Sequence, residues 1–204
     1  MKKLIFLTLF AVIGAICFAY SKHVSAQIEN SKTTKEKAMT NKKSIVIYFS
    51  RADENYGVGY TDKGNTQYLA EFIADATGAD MLKVEPAIPY AKDYDTAVEE
   101  AKERLRTHNA PIAKPVPDIS QYDVVYVGSP VYWGLMPEEL TTALKELDFS
   151  GKEVHLFVTH EGSGLGDIPQ QIKEIAKDAT FGKPIAIYGH TAKNSQDKIN
   201  SWLK

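Results

Sequence analysis

Four short runs of almost uninterrupted apolar residues are the feature that most constrains the fold of this 204-residue chain. The runs are rich in β-branched and aromatic side chains and occupy residues 45–49, 124–127, 154–158 and 185–188. A strand that helices cover on both faces has no polar side, so such runs are typical of a parallel sheet. A weaker run at residues 81–84 alternates in polarity, which is typical of an edge strand.

Helical patterns separate these runs and predict a doubly wound α/β domain. Their apolar stripes predict helices over residues 66–77, 94–108, 137–147, 168–179 and 194–203. Gly78 is expected to end the first helix, and Asp93 to begin the second. Because alternating strands and helices require right-handed parallel crossovers, we expect five parallel strands in the order 2-1-3-4-5 with helices on both faces. A six-stranded dinucleotide-binding sheet is the alternative, but the chain is too short for its second half.

The first 26 residues have the composition of a secretory signal peptide. A basic start precedes the apolar residues 4–20, and Val24-Ser25-Ala26 suits a signal peptidase. Seventeen helical residues extend roughly 25 Å, just short of a comfortable bilayer span, so an uncleaved membrane anchor is the alternative. We therefore expect an exported protein, periplasmic or extracellular, in which residues 27–43 form a flexible polar tether. The one cysteine, Cys17, lies in this leader, so the mature protein is expected to have no disulfide and no thiolate metal site.

Charge narrows the possible partners. Residues 44–204 carry 16 basic and 24 acidic side chains, a net charge of −8. An acidic domain repels phosphate backbones, so nucleic acid is not an expected partner. The four histidines after the leader, at positions 108, 155, 160 and 190, form no pair at metal-ligand spacing, so no metal site is expected.

The segment after the first strand predicts a phosphate site. Ser50 and Arg51 begin a long polar loop that ends in Gly64-Asn65-Thr66 at a predicted helix start. Helix N-termini offer unpaired N–H groups and a partial positive charge, which favour a phosphate. A Walker loop would need lysine where Asn65 stands, so ATP is not expected. The alternative is that Asn65 or Thr66 only caps the helix.

The segments after the third and fourth strands add an aromatic and a glycine-rich loop at the same edge of the sheet. Adjacent large aromatic residues beside glycine and proline suggest a stacking platform for a planar ring, although hydrophobic packing is the commoner role of such pairs. Glycines let the backbone approach the edge of a flat ligand. The two loops are Ser129-Pro130-Val131-Tyr132-Trp133-Gly134 and Thr159-His160-Glu161-Gly162-Ser163-Gly164.

Together these three loops resemble those of flavodoxins and of the flavodoxin-like group of small FMN proteins, over residues 44–204. The resemblance implies a flavodoxin-like fold that binds FMN without a covalent bond. Its phosphate would be held by Ser50, Arg51, Gly64, Asn65 and Thr66. Tyr132 and Trp133, with the adjacent residues Ser129, Pro130, Val131 and Gly134, would flank the isoalloxazine. Thr159, Gly162, Ser163 and Gly164 would contact its pyrimidine edge.

This chain departs from compact flavodoxins in the first loop, where residues 52–63 stand in place of a single residue. The resemblance gives no role to Glu54, Asn55 or Tyr56 within this insertion. It favours an exported electron carrier with no catalytic residue of its own, and the negative domain would attract redox partners with a basic surface. An FMN-dependent NAD(P)H quinone or flavin reductase is the alternative, and a flavin-free binding module on the same fold is a further one. Membrane contact is expected only through a retained leader.

Overall fold

The computed structural model describes residues 42–204. The predicted signal peptide 1–26, and all but the last two residues of the predicted tether 27–43, lie outside the described residues. Lys43 already belongs to the folded domain, because its carbonyl accepts hydrogen bonds from the amides of Asp123 (2.8 Å) and Val124 (3.2 Å).

A twisted parallel sheet forms the centre of the domain, as the apolar runs predict. Its strands are β1 (Ser44–Tyr48), β4 (Asp80–Lys83), β5 (Val124–Pro130), β6 (Glu153–His160), β7 (Thr180–Phe181) and β8 (Ile185–Tyr188). The order is β4-β1-β5-β6, with β7 and β8 both pairing in parallel with β6. The predicted doubly wound class is confirmed, with one difference from the order 2-1-3-4-5: the fifth position is shared by two short strands.

The division of the fifth strand has a local cause. Gly182 packs so closely on the His155 ring that an added Cβ would lie 2.3 Å from Nδ1. Two residues later, Pro184 has no amide hydrogen with which to continue the ladder. The chain therefore leaves β6 after Phe181 and rejoins it at Ile185.

An antiparallel hairpin that the sequence did not predict lies inside the long first loop. Its strands are β2 (Asp53–Asn55) and β3 (Gly59–Thr61), which pair only with each other. Both strands have only three residues, and β2 consists of acidic and amide side chains with low β-propensity, so the hairpin depends on contacts with the rest of the domain.

Within residues 42–204, five α-helices cover the two faces of the sheet. They are α1 (Asn65–Thr77), α2 (Tyr94–Thr107), α3 (Glu138–Lys145), α4 (Ile168–Ile175) and α5 (Gln196–Trp202). The helices α1 and α5 pack in one apolar cluster, whereas α2, α3 and α4 pack in the other. Gly78 ends α1 with φ 70°, and the Asp93 carboxylate accepts a hydrogen bond from the Thr96 amide (2.9 Å) at the start of α2, both as predicted.

Three helix boundaries differ from the predicted ones by two residues or more. The helix α3 ends at Lys145, two residues before the predicted end. The helix α4 ends at Ile175, four residues before the predicted end, and Ala176 (φ −102°, ψ 53°) follows it. A 3₁₀ helix, Gly189–Asn194, precedes α5, which begins two residues later than predicted. Within residues 42–204, no helix is both long and apolar enough to span a bilayer.

Candidate functional site

A cavity of about 420 Å³ lies at the carboxyl ends of β1, β5 and β6. This is the edge at which the winding of the sheet reverses, and open α/β sheets bind ligands there. A volume of this size is within the range of small-molecule and cofactor sites. The three loops that the sequence singled out therefore meet at one concave surface.

Eleven of the fifteen predicted site residues line this cavity, and four do not. Those that line it are Ser50, Arg51, Asn65, Thr66, Pro130, Val131, Tyr132, Trp133, Gly134, Thr159 and Ser163. Gly64 and Ser129 lie behind the wall; Ser129 is fully buried and donates its hydroxyl to the Pro130 carbonyl (2.7 Å). Gly162 and Gly164 lie in the loop after β6, beside the lining residues Glu161 and Ser163.

The start of α1 is packed against the loop after β1. A Cβ added to Gly64 would lie 2.2 Å from Ser50 Oγ and 2.4 Å from the Arg51 carbonyl oxygen, so only glycine permits this approach. Ser50 Oγ accepts a hydrogen bond from the Gln67 amide (3.1 Å). Gly64 is the N-cap residue, so the alternative in which Asn65 or Thr66 merely caps α1 is wrong. The Gln67 amide is bonded in this way, whereas the amides of Asn65 and Thr66 have no acceptor within the helix, and both residues line the cavity.

Two buried hydroxyls join α1 to β6 at the cavity floor. Thr66 Oγ1 and Thr159 Oγ1 are 2.7 Å apart and form a hydrogen bond in which either can donate. Both residues are almost fully buried and both line the cavity. One of the two hydroxyls therefore keeps a hydrogen to offer to a ligand.

Arg51 points away from the start of α1. Its guanidinium donates to the carbonyl oxygens of Ala91 (3.1 Å) and Glu54. These bonds tie the side chain to the loop before α2 and to the hairpin. Arg51 therefore lines the cavity on the α2 side. In this position its guanidinium is not directed at the start of α1, where the resemblance implies a bond to the phosphate.

A tight turn carries the aromatic pair. The Tyr132 amide donates to the Leu135 carbonyl, and the Leu135 amide donates to the Tyr132 carbonyl (both 2.9 Å). Between them, Trp133 has φ 53° and Gly134 has φ 85°. Positive φ at both central positions defines a type I′ turn. Glycine adopts this conformation freely, but tryptophan does so at a cost of about 1 to 2 kcal/mol. Backbone strain of this kind is concentrated at functional sites.

The two aromatic rings of the turn have different surroundings. Tyr132 packs edge-on against Phe49 and Tyr90, each with ring centroids 5.9 Å apart from its own. Burial raises the pKa of Tyr132 to about 12, although the neighbouring Arg51 opposes this rise. Trp133 is 55% exposed at the mouth of the cavity, and its indole N–H donates to the Val98 carbonyl of α2 (3.2 Å).

An ion pair beneath these rings supports the α2 wall. Glu139 is fully buried and accepts hydrogen bonds from the Arg104 guanidinium and from the Tyr90 hydroxyl (3.1 Å). The Arg104 guanidinium also lies 3.7 Å from the centre of the Tyr90 ring. Burial, together with the negative charge of Glu139, raises the pKa of Tyr90 well above its ordinary value.

The loop after β6 is held by its own polar groups. His160 Nδ1 accepts a hydrogen bond from the Gly162 amide (2.9 Å), and burial lowers the pKa of His160, although the Glu161 charge opposes this. Further along, the Asp167 amide donates to the Gly134 carbonyl (2.8 Å), which connects this loop to the type I′ turn. A Cβ at Gly166 would lie 2.3 Å from that same carbonyl oxygen.

The hairpin crosses the mouth of the cavity as a strap, a name used below for residues 53–61. At one end, the Glu54 amide donates to the Lys92 carbonyl (3.1 Å) and the Glu54 carboxylate accepts from the Tyr94 amide (3.0 Å). At the other end, an added Cβ at Gly57 would lie 3.7 Å from the Glu161 carboxylate. The strap therefore joins the start of α2 to the end of β6.

A family model described as flavodoxin matches residues 43–204. The chain belongs to the flavodoxin family. Among solved structures, it is similar to a protein of Bacteroides eggerthii assigned as a flavoprotein, with 26% identity, a TM-score of 0.64, and coverage of 80% of this chain and 96% of that one. A flavoprotein of Lactobacillus acidophilus in complex with FMN has 19% identity, a TM-score of 0.57 and coverage of 80% and 99%. No curated protein matches the chain.

Nine residues of this flavodoxin line the cavity without having been predicted as site residues. They are Asn55, Tyr56, Tyr94, Ala97, Val98, Ala101, His160, Glu161 and Gly189. Ala97 and Ala101 are one helical turn apart on α2, and the sequence gives no means of distinguishing a cavity wall from ordinary core packing there. Within residues 42–204, no group of three potential metal ligands lies close enough to hold an ion.

Proposed function

We propose that this flavodoxin binds FMN without a covalent bond and transfers electrons between partner proteins. The observation that carries the proposal is the two-ended cavity: amides and hydroxyls lie at the α1 end, and aromatic rings lie at the β5 end. A phosphate monoester and a flat conjugated ring are the two parts of FMN that these ends would accept. The L. acidophilus relative, whose complex contains FMN, supports this assignment.

The chain has residues that would hold each part of the cofactor. The close approach at Gly64 brings the Ser50 hydroxyl against the start of α1; at this junction, called the cradle, the first amides of α1 would hold the phosphate with Ser50 and Thr66. Tyr132 and Trp133 would lie against the ring system, and Ser163 would be near its polar edge. Bound FMN would supply one- and two-electron redox chemistry.

Exposure of the site favours a carrier. Trp133 is 55% exposed and Tyr56 is 63% exposed, so a partner protein can approach the mouth of the cavity closely. The net charge of −8 on residues 44–204 would attract a partner with a basic surface. Electron transfer to such a partner is then expected to slow as salt rises, because exposed charges are screened beyond about 8 Å at 0.15 M ionic strength. Rates independent of salt would contradict this part of the proposal.

An absorbance spectrum and a fluorescence titration with FMN test cofactor binding. Thr66→Val removes one hydroxyl of the buried pair and is expected to weaken FMN binding about tenfold, while riboflavin, which has no phosphate, is affected less. Thr77→Val is a suitable control, since the Thr77 hydroxyl bonds only at the far end of α1, where it donates to the Ile73 carbonyl (2.7 Å) and accepts from the Ala79 amide (3.3 Å). A colourless protein that binds neither flavin would instead indicate the binding module on the same fold.

A stand-alone reductase is the second candidate, and the α2 wall favours it. The cavity extends beyond the three loops to Tyr94, Ala97 and Val98, which offers apolar surface to a second planar molecule. Steady oxidation of NADPH by a quinone, with the purified protein and no partner, would support the reductase. Absence of turnover, together with rapid reduction by a redox protein, would support the carrier.

The proposed location outside the cytoplasm rests on the sequence of residues 1–26 alone. Cell fractionation, with the N-terminal sequence of the mature protein, tests both the export and the cleavage after Ala26. An N-terminus that still contains the apolar residues 4–20, in a membrane fraction, would support the anchored alternative.

A further inference from the structure

An acid–imidazole pair lies beside the α1 end of the cavity and has no role in the function proposed above. Glu161, immediately after β6, accepts a hydrogen bond at Oε1 from the His190 amide (2.8 Å), and its Oε2 lies 2.7 Å from Nδ1 of the His190 ring. The Glu161 side chain is 18% exposed and lines the cavity, whereas the His190 side chain is 51% exposed. Because Nδ1–H donates to the carboxylate, Nε2 is the nitrogen that can take up or release a proton.

Gly189 shows how close this pair lies to the start of α1. A Cβ added there would lie 2.5 Å from Asn65 Nδ2 and 2.7 Å from Glu161 Oε1, so these two atoms are at most 5.2 Å apart. Asn65 is the first residue of α1, where the amides have no acceptor within the helix. The Glu161 carboxylate therefore occupies the end of the cavity at which an anion would bind.

Among residues 42–204, His190 is the one basic side chain that forms an ion pair with Glu161. His160 lies beside the pair at the end of β6, but burial lowers the pKa of His160, although the Glu161 charge opposes this, and its Nδ1 accepts a hydrogen bond from the Gly162 amide. The Tyr188 ring of β8 lies between the two imidazoles, with centroids 4.4 Å from His160 and 5.2 Å from His190. The strap approaches the pair at Gly57 and α1 approaches it at Asn65, and neither residue carries a charge.

We propose that the Glu161–His190 pair couples the binding of a phosphate monoester at this end of the cavity to the uptake of a proton by His190. With a neutral His190 the pair is anionic and repels the phosphate, whereas a protonated His190 makes the pair neutral overall. Bound phosphate favours the imidazolium, so affinity is highest at low pH and declines as His190 loses its proton. This inference rests on the proposed function in taking FMN as the phosphorylated ligand.

The test compares FMN with riboflavin, which lacks the phosphate, by fluorescence titration between pH 6 and pH 8.5. The variants are His190→Asn, Glu161→Gln and a control, His108→Asn, whose ring is 74% exposed and lies beside Glu138. If binding moves the His190 titration by one pH unit, FMN affinity in the wild type falls about tenfold over this range. The control should show the same fall, since His108 does not line the cavity.

Each variant has its own expected result. His190→Asn should bind FMN weakly at every pH and lose most of the tenfold change. Glu161→Gln should bind FMN more tightly than the wild type at pH 8.5, because the repelling carboxylate is gone. Riboflavin should show none of these differences. Ionisation of the FMN phosphate itself near pH 6 is common to all variants and cancels in the comparison.

Equal pH profiles of His190→Asn and His108→Asn would overturn the inference, and so would the same profile for riboflavin as for FMN. Failure of the proposed function can be recognised separately. If neither flavin binds, NMR of the His190 ring with added inorganic phosphate tests the pair alone. Movement of its titration to higher pH would support the coupling without a flavin, and an unmoved titration would overturn it.

Discussion

Replacing Gly64 by alanine tests whether the close approach between the first loop and α1 forms the cradle. Gly64 has φ −67° and ψ 149°, a conformation that alanine adopts without strain, so the cost of Gly64→Ala is steric. The new Cβ would lie 2.2 Å from Ser50 Oγ and 2.4 Å from the Arg51 carbonyl oxygen. The second atom belongs to the backbone, so relief requires movement of the loop or of the start of α1.

The magnitude follows from two contributions. Overpacking of a close-packed site costs about 1 to 3 kcal/mol, and loss of the Ser50–Gln67 hydrogen bond costs about 1 kcal/mol more. Lower entropy of the unfolded chain returns about 0.4 to 1 kcal/mol when alanine replaces glycine. We therefore expect Gly64→Ala to lower the free energy of unfolding by about 1 to 3.5 kcal/mol. A shift of the α1 amides should also weaken FMN binding at least tenfold, or about 1.4 kcal/mol.

Gly78→Ala is the matched control. Gly78 has φ 70° and nothing within 4 Å of an added Cβ, so its cost is conformational, about 1 kcal/mol, and far from the cradle. Urea unfolding and FMN titration measure both variants. A Gly64→Ala protein that is no less stable than Gly78→Ala, and binds FMN as the wild type does, would refute the idea that this packing forms the cradle.

Three further predictions follow from other parts of the site. Glu139→Gln should lower the free energy of unfolding, measured by heating, by about 3 kcal/mol, since Arg104 is left without its buried anion. Glu103→Gln, in an exposed ion pair, should leave the unfolding midpoint unchanged. Equal effects of the two variants would contradict this prediction. Replacing residues 54–60 by Gly-Gly should speed FMN dissociation at least about tenfold in stopped-flow fluorescence, and an unchanged rate would mean that the strap does not retain the ligand. NMR should place the His160 titration below pH 6.5, because burial lowers the pKa of His160. Since the folded state favours the neutral ring, the contribution of His160 to folding stability is present above pH 6.5 and is lost as pH falls. A titration above pH 6.5 would be inconsistent with burial as the cause.

The positions of the strands and of the site loops could be predicted because their signals are local. Continuous apolar runs mark buried parallel strands, and the loops that follow β1, β5 and β6 are fixed at one edge once the sheet is wound. The two residues that divide the last strand, Gly182 and Pro184, are visible in the sequence. The close approach of Gly182 to His155 could not be predicted, because it depends on packing that no local pattern shows.

Side-chain direction was the main quantity that the sequence could not provide. Arg51 follows β1 in a phosphate-type loop, yet its guanidinium is held by the carbonyls of Ala91 and Glu54. Ala97 lies on α2 where small residues usually indicate helix packing, yet it lines the cavity. Both outcomes depend on neighbours distant in the chain, whereas propensity and periodicity describe neighbours close in the chain.

The start of α1 gives a physical reason why an acidic domain could hold an anionic ligand at all. A net charge of −8 on residues 44–204 opposes the approach of a phosphate, and Arg51 is turned towards carbonyl groups. The attraction must then come from short-range donors: the first amides of α1 and the hydroxyls of Ser50 and Thr66. Such donors act at contact distance, whereas charges elsewhere on the domain surface are screened by salt. The same negative surface would therefore attract a basic partner without expelling the ligand.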